Sequence, residues 1–341
     1  MRSSSRNLRD LHARGRRCWG RVAVLALFGA CCLGGYAAEW VTRPDMPTPR
    51  YRSAGLAIDG RIYVVGGRGE GDVGWLRTTE VYDPVANRWA KRADMPLVDR
   101  DLGAAVVAGR NFIVGSEAVL RYKAGADVWE LETMLPTPRI LHASSAVGGK
   151  IYVVGGGFRG DPPILTAEVD EYDTALRVWS KKTPIPTPRW SAATAVVDGK
   201  ICVIGGSAHG ANQVAIVEAY DPQSDTWAVL PPMPTARRYA AATVVDGTIY
   251  VVGGVTVGVN ELAPLAVVET YNPSTGVWLR APDMPEPGYG GTAVSSDGAV
   301  YVIGGWNQDD EHLATIIALD TGARVVTPQR KLTTTWGDLK R

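Results

Sequence analysis

From Trp40 onward the apolar residues fall in short runs separated by glycine, proline and aspartate, and no stretch carries the period of an amphipathic helix. The first full unit shows the pattern. "SAGLAI" is apolar and strand-like, and Asp59-Gly60 then makes a tight hairpin turn, because glycine accepts positive φ. "RIYVV" returns, β-branched and buried, and Gly66-Gly67 ends it. A polar loop leads to "TTEVY". Asp83-Pro84 turns the chain again, with proline presetting φ, and "NRWAK" is the fourth strand. The glycine of the first hairpin recurs at Gly109, Gly149, Gly199, Gly247 and Gly298.

The unit repeats. Tryptophans stand at 40, 89, 129, 179, 227 and 278, and the diglycine positions begin at 66, 115, 155, 205, 253 and 304. Both series step by 49, 40, 50, 48 and 51. Two independent markers with one irregular spacing define a repeat architecture with a period of about 50 residues. The chain also carries the tail of a repeat before any repeat has begun: "WVTRPDMPTPR" from Trp40 matches "WSKKTPIPTPR" from Trp179. Conversely, the sixth unit supplies three strands, ending near "TIIALD". Trp40 and its neighbours are therefore expected to be the missing fourth strand, which would close the ring and remove an open sheet edge.

A diglycine, then a tyrosine, then a tryptophan six to seven residues on resembles the kelch repeat. Here the order is Gly66-Gly67, Tyr82, Trp89, and again Gly155-Gly156, Tyr172, Trp179. It continues as Gly205-Gly206, Tyr220, Trp227 and Gly253-Gly254, Tyr271, Trp278. The second unit has Gly115-Ser116 in place of the pair, and the sixth has Leu319 where tyrosine is expected. The resemblance implies an all-β, six-bladed propeller with four-stranded blades over residues 39–320, preceded by a targeting segment, 1–38, and followed by a tail, 321–341. It also assigns the repeat tyrosines and tryptophans to packing within and between blades rather than to a stacking platform.

Residues 1–38 have an arginine-rich start, an apolar run from Val22 and small residues before Glu39, the order of a secretory signal. Export to the periplasm or outside the cell is the expectation. Cleavage after Ala37 or Ala38 fits, and a loose twin-arginine signal at Arg16-Arg17 is one variant. Membrane attachment would require an uncleaved leader or lipidation at Cys31. Seven of the 36 basic and one of the 35 acidic residues lie in that segment, which leaves 29 against 34, a net of −5. A mildly acidic body argues against nucleic acid as a partner. Only Cys202 remains in the body, so no disulfide forms there, and its place in "ICVIGG" reads as a small buried hydrophobe.

Chain direction puts the second-to-third loops and the links between blades on one face, and those loops are the long ones. Binding residues favour loops set on a rigid scaffold. Blade two is the exception, because "SEAV" almost joins its strands directly and lowers the wall there. Three residues after each link proline come Arg50, Arg139, Arg189 and Arg237, with Asp99 in blade two and Gly288 in blade six. These positions begin the innermost strands, so the arginines are expected to ring the channel mouth and to offer planar donors to a carboxylate. An equally open reading is that each simply pairs with a nearby acid or linking loop. In cytosolic kelch adaptors, similarly placed arginines receive acidic peptides, and the resemblance implies the same option here. Beside them stand Tyr51, Arg52, His142, Trp190, Arg238, Tyr239 and Tyr289. Residues that the repeat does not require are the better candidates: Arg52, His142, Trp190, Tyr239 and Tyr289, and in the loops Trp75, Phe158, His209 and Trp306.

No other motif carries chemistry. "GEGDVG" from Gly69 leads to a strand and not a helix, so it lacks the helix N-terminus that a pyrophosphate needs. "NQDDEH" from Asn307 lacks the spacing of a calcium loop and reads as a solvated acidic loop. No zinc motif or nucleophile elbow occurs, and no cofactor is expected. The leading expectation is an exported, non-enzymatic binding protein, monomeric, for a protein partner, an anionic small molecule or a glycan. The alternative is a sugar mutarotase resembling the periplasmic N-acetylneuraminate epimerases. There the arginines would meet the carboxylate, and His142 or Glu70 would move protons.

Overall fold

The computed structural model describes residues 38–322 apart from 72–73, 100, 159, 161–163, 209–212, 258–261 and 310. Residues 1–37 of the expected targeting segment, the tail from 323 and His209 lie outside the described residues.

Six four-stranded antiparallel sheets follow one another along the chain. Blade one is Ala54–Ile58, Arg61–Val65, Thr79–Asp83 and Arg88–Arg92, and blades two to five repeat that order. Blade six takes Thr292–Ser296, Ala299–Trp306 and His312–Asp320 from the C-terminal side and Trp40–Arg43 from the N-terminal side. In that last pair Trp40 stands opposite Leu319 and Arg43 opposite Ile316. The ring is closed by the strand that the repeat pattern left over.

The first hairpin turns have φ positive at both central residues, as at Asp59 and Gly60 (48° and 71°), the form whose twist matches the flanking strands. The third-to-fourth turns are held by side chains. The Asp83 carboxylate accepts from the backbone N–H groups of Val85 and Ala86, and the Tyr82 hydroxyl donates to Asn87 Oδ1. The diglycine is required by close approach: Gly67 sits at φ 90°, and a Cβ there would lie 2.7 Å from the Tyr51 carbonyl oxygen.

Apolar side chains collect in six wedges between blades, with no single central core. The wedge between blades one and two holds Leu56, Val65, Val81, Met95, Ile113 and Tyr122. The wedge between blades five and six holds Val252, Val268, Met284, Val300 and Leu319, with Trp40 packed against it. Each repeat tryptophan also donates its indole N–H to the preceding blade, to the residue four places after that blade's own tryptophan. Trp89 bonds the Pro44 carbonyl at 2.7 Å, Trp129 that of Ala93 at 2.9 Å, and Trp40 that of Pro282 at 2.9 Å. Trp40 therefore does for blade six what the other tryptophans do for theirs.

The long second-to-third connections are more ordered than the reading as loops implied. Arg50–Tyr51 with Arg68–Gly69, Gly157–Phe158 with Ile164–Leu165, and Val255–Val257 with Leu262–Pro264 form two-stranded ribbons on the long-loop face. In blade two the turn closes at once, with the Gly115 N–H bonded to the Ala118 carbonyl at 2.8 Å.

Removing residues 39–47 strips the outer strand of blade six and its latch to blade five. The expected result is a lower and broader thermal transition of the whole ring, read by circular dichroism. Trp40→Ala alone is expected to lower the melting temperature by several degrees, through lost packing and the lost indole bond.

Candidate functional site

The central channel is lined by small residues of the innermost strands, among them Gly103, Ser144, Ala193 and Thr243, around a cavity of about 400 Å³. Its opening on the long-loop face is framed by one residue from each blade: Arg52, Asp101, Leu141, Ser191, Tyr239 and Gly290. All six have positive φ, between 52° and 65°. Backbone hydrogen bonds link five of them from blade to blade, N–H of Ser191 to the carbonyl of Leu141, Tyr239 to Ser191, Gly290 to Tyr239 and Arg52 to Gly290. These bonds between neighbouring blades support the left-handed conformation.

The four repeat arginines are not among them. Arg50, Arg139, Arg189 and Arg237 are 0–2% exposed, which corrects the expectation that they ring the mouth. Each turns inward to a carboxylate on the third strand of its own blade: Arg50 to Glu80 at 2.7 Å, Arg139 to Asp170 at 2.6 Å, Arg237 to Glu269 at 2.7 Å, and Arg189 to Glu218. Remaining guanidinium N–H groups bond backbone carbonyls, as Arg237 does with Gly253 and Val267, both at 2.9 Å. The threonine of "PTPR" completes the set by donating to the acid, Thr48 to Glu80 at 2.7 Å. Blades two and six lack the arginine, and they lack the acid as well: Leu120 and Ile317 occupy its register. Burial pulls the pKa of Arg50, Arg189 and Arg237 down against the opposing pull of their carboxylates. These are structural pairs that tie the links to the blades.

His142 is also turned inward. Its Nε2 donates to the Gly115 carbonyl at 2.9 Å, and burial pushes its pKa down to about 4. Cys202 is buried in the wedge between blades four and five, and burial raises its pKa to about 11.

What faces the opening is a different group. Arg52 lies across it, donating to Asp101 at 3.1 Å and to the Tyr239 hydroxyl at 2.5 Å. It passes over blade six, where Gly290 presents no side chain. Burial opposes the charge of Arg52, but Tyr239 and Asp101 outweigh it and raise the pKa. From Tyr239 a belt of aromatic rings runs round the rim. Tyr239 contacts Trp190 at 5.8 Å and Tyr289 at 6.0 Å between centroids. Tyr289 stacks on Trp306 at 5.9 Å, and Trp306 meets Tyr51 at 4.8 Å. His312 stacks on Tyr51 at 5.0 Å. Arg238 lies over Trp190 at 4.9 Å and beside Tyr239 at 5.7 Å. Among the described residues no carboxylate pairs with Arg238. Trp75 lines a separate hollow beside blade two with Leu97 and Met134, and Phe158 lies on the blade-three ribbon. Among the described residues no group of three or more histidines, cysteines and acids could hold a metal.

Arg52, Trp190, Tyr239, Tyr289 and Trp306 are thus brought together. Asp101 and His312 were missed as parts of the group. Their signal is weak in the sequence, because Asp101 keeps the repeat register of Arg52 and Tyr239 but differs from them in residue type, and His312 reads as part of an acidic loop.

Breaking one buried pair leaves a charge without its partner. Arg189→Ala is expected to lower the unfolding free energy by about 3–5 kcal/mol in urea titrations. Arg189→Met with Glu218→Leu should fall close to wild type, following the apolar register of blades two and six. Stability should also depend on His142. Above its unfolded pKa of about 6.5 the imidazole is neutral in both states, and its contribution is complete. As pH falls toward 4, the unfolded chain binds a proton that the folded ring refuses, and stability is lost. His142→Gln should flatten the urea midpoint across that window relative to wild type.

Residues 141–330 match the KLHDC2/KLHL20/DRC7 Kelch-repeats domain, and residues 49–96 match the Kelch motif. Kelch-like protein 35 of Mus musculus is 28% identical over 123 residues, covering 36% of this chain and 21% of that protein. Kelch repeat and BTB domain-containing protein 13 of Homo sapiens is 30% identical over 132 residues, with 37% and 28% covered. Kelch-like protein terF of Aspergillus terreus is 35% identical over 133 residues, with 35% and 28% covered. The chain spans less than a third of the length of these relatives. The structure titled "Structure of YjhT" superposes with a TM-score of 0.69 at 15% identity, covering 80% of this chain and 95% of that one, which establishes a shared fold. With the buried pairs, the tryptophan latches and a family match over more than half its length, the chain belongs to the Kelch-repeat family.

Proposed function

We propose that this protein is an exported binding protein that holds an anionic ligand, a glycan acid or an acidic segment of a protein partner, at the rim of the long-loop face. One observation carries the reading: Arg238 is a half-buried guanidinium stacked on Trp190 and Tyr239, with no carboxylate partner among the described residues. Among the described residues, every other arginine at the start of an innermost strand has its acid, including Arg52 with Asp101. A guanidinium kept on aromatic faces is held in place, and it retains planar donors for an incoming carboxylate. Tyr51 and Trp190 are buried, and the half-buried rings of the belt, Tyr239, Tyr289 and Trp306, give apolar surface for a sugar ring or a peptide side chain. Export rests on the order of charges, apolar run and small residues in 1–38.

The mutarotase reading has one supporting feature. Arg52 holds the Asp101 carboxylate and the Tyr239 hydroxyl together at the opening, a donor and an acceptor that could act on a sugar ring. His142 has no part in it, since it is buried against Gly115.

Isothermal titration of the purified protein with sialic and uronic acids, neutral sugars and acidic peptides tests the site. Saturable binding of an acidic compound is expected, weakened roughly 10- to 100-fold in Arg238→Ala, the loss typical of a charge-assisted hydrogen bond. Absence of binding across the panel, or binding unchanged in Arg238→Ala, removes the proposal. Proton NMR of sialic acid anomers decides the catalytic reading: exchange above the buffer rate, lost in Asp101→Asn, favours it, and exchange at the buffer rate rejects it for that sugar. Intact mass of the exported protein should place its N-terminus at Ala38 or Glu39.

A further inference from the structure

Blade six departs from the buried pairing at both positions together. Gly288 stands where the sister blades carry arginine, and Ile317 stands opposite Val302 as Glu80 stands opposite Val64. The carbonyl-rich slot that a guanidinium fills elsewhere has neither its cation nor its acid here. Gly288 is not in the left-handed region, and a Cβ added there would meet only the Leu313 Cδ1 and the Trp306 carbonyl oxygen, each at 3.6 Å. The slot is therefore not closed by backbone.

In its place lies a cavity of about 150 Å³ between blades five and six. Its walls include Met284, Val302, Leu313 and Ile317, and Tyr239 and Tyr289 of the aromatic belt also line it. The exposed wall of the cavity is mainly apolar, and its size matches a benzene-sized guest. A cationic guest would find Ile317 where the sister blades offer a buried carboxylate, and the one carboxylate among the described lining residues, Glu286, is exposed, so a buried charge is disfavoured.

We propose that this slot is a binding pocket for a compact apolar group, of isobutyl or phenyl size, presented by a ligand lying on the long-loop face. The identity of the presenting ligand rests on the function proposed above, whereas the pocket itself does not involve Arg238. Two sites of opposite character then share the Tyr239 ring. An anionic group would lie on its Arg238 side, and an apolar group would enter on its blade-six side. A molecule that carries both at a fixed separation would be selected over one that carries either alone.

Benzene is the probe, titrated into the intact protein with methyl groups observed by carbon–proton NMR. Saturable shifts confined to methyls that line the cavity, those of Met284, Val302, Leu313 and Ile317 among them, are the expected result, together with a rise in melting temperature. Gly288→Leu fills the slot from its open side, and Gly288→Arg with Ile317→Glu restores the pair used by the other blades. Both should abolish the shifts, and Arg238→Ala should leave them unchanged. No saturable shift in the wild-type methyls overturns the pocket. So do shifts that persist in a filled variant whose spectrum shows it folded. Benzene binding with no acidic ligand bound would uphold the pocket and remove only the anion site.

Discussion

A lone four-stranded blade has two faces and cannot bury either by itself. Each face becomes interior only when the next blade is laid against it, so the apolar wedges exist between blades and every blade depends on two neighbours. A ring is the arrangement in which no blade lacks a neighbour, and one strand decides whether the ring is complete. The pairing of Trp40–Arg43 with His312–Asp320 is thus the constraint on which the rest stands. At the channel opening the same closure appears as the Arg52 N–H bond to Gly290, which joins the first blade to the last.

The repeat made the fold readable. Turn glycines, the diglycine and the tryptophan spacing fix strand order and even the origin of the last strand, because each reflects a local backbone requirement that recurs. The site was readable only in part. Arg50, Arg139, Arg189 and Arg237 were correctly placed in the chain, but a charged residue does not declare whether it faces water. Their partners lie on a different strand, about thirty residues on, and the pairing becomes visible when the acid positions are compared: Glu80, Asp170, Glu218 and Glu269 occur where arginine occurs, while Leu120 and Ile317 occur where it does not. Repetition marks what each blade needs to stand. The residues gathered at the rim, Arg52, Trp190, Arg238, Tyr239 and Tyr289, keep the repeat register in position but change in type from blade to blade, which is why their grouping needed the closed structure.

The distribution of charge follows the same division. Inside the links each guanidinium has a buried carboxylate partner, Arg139 with Glu168 as a second, so they hold geometry and contribute little to an outside field. At the rim the match is incomplete: Arg52 is balanced by Asp101, and Arg238 rests on rings. A body of net negative charge therefore presents a local positive point at the opening of its channel. That point is small, aromatic-backed and reached from one face only, which suits recognition of a single acidic group better than attraction of a polyanion.

The Trp40 latch joins residues 242 positions apart. Contacts of that span form late, because the intervening chain must be in place before the ends can meet. Blades one to five can assemble in order as the polypeptide is made, but the ring stays open, with one wedge incomplete, until the residues up to Asp320 are available. The opening of the channel, its hydrogen-bonded rim and the slot in blade six all lie at or beside that final seam. The rim and the slot are thus completed by the last step of folding, so a chain interrupted before its sixth blade would assemble neither.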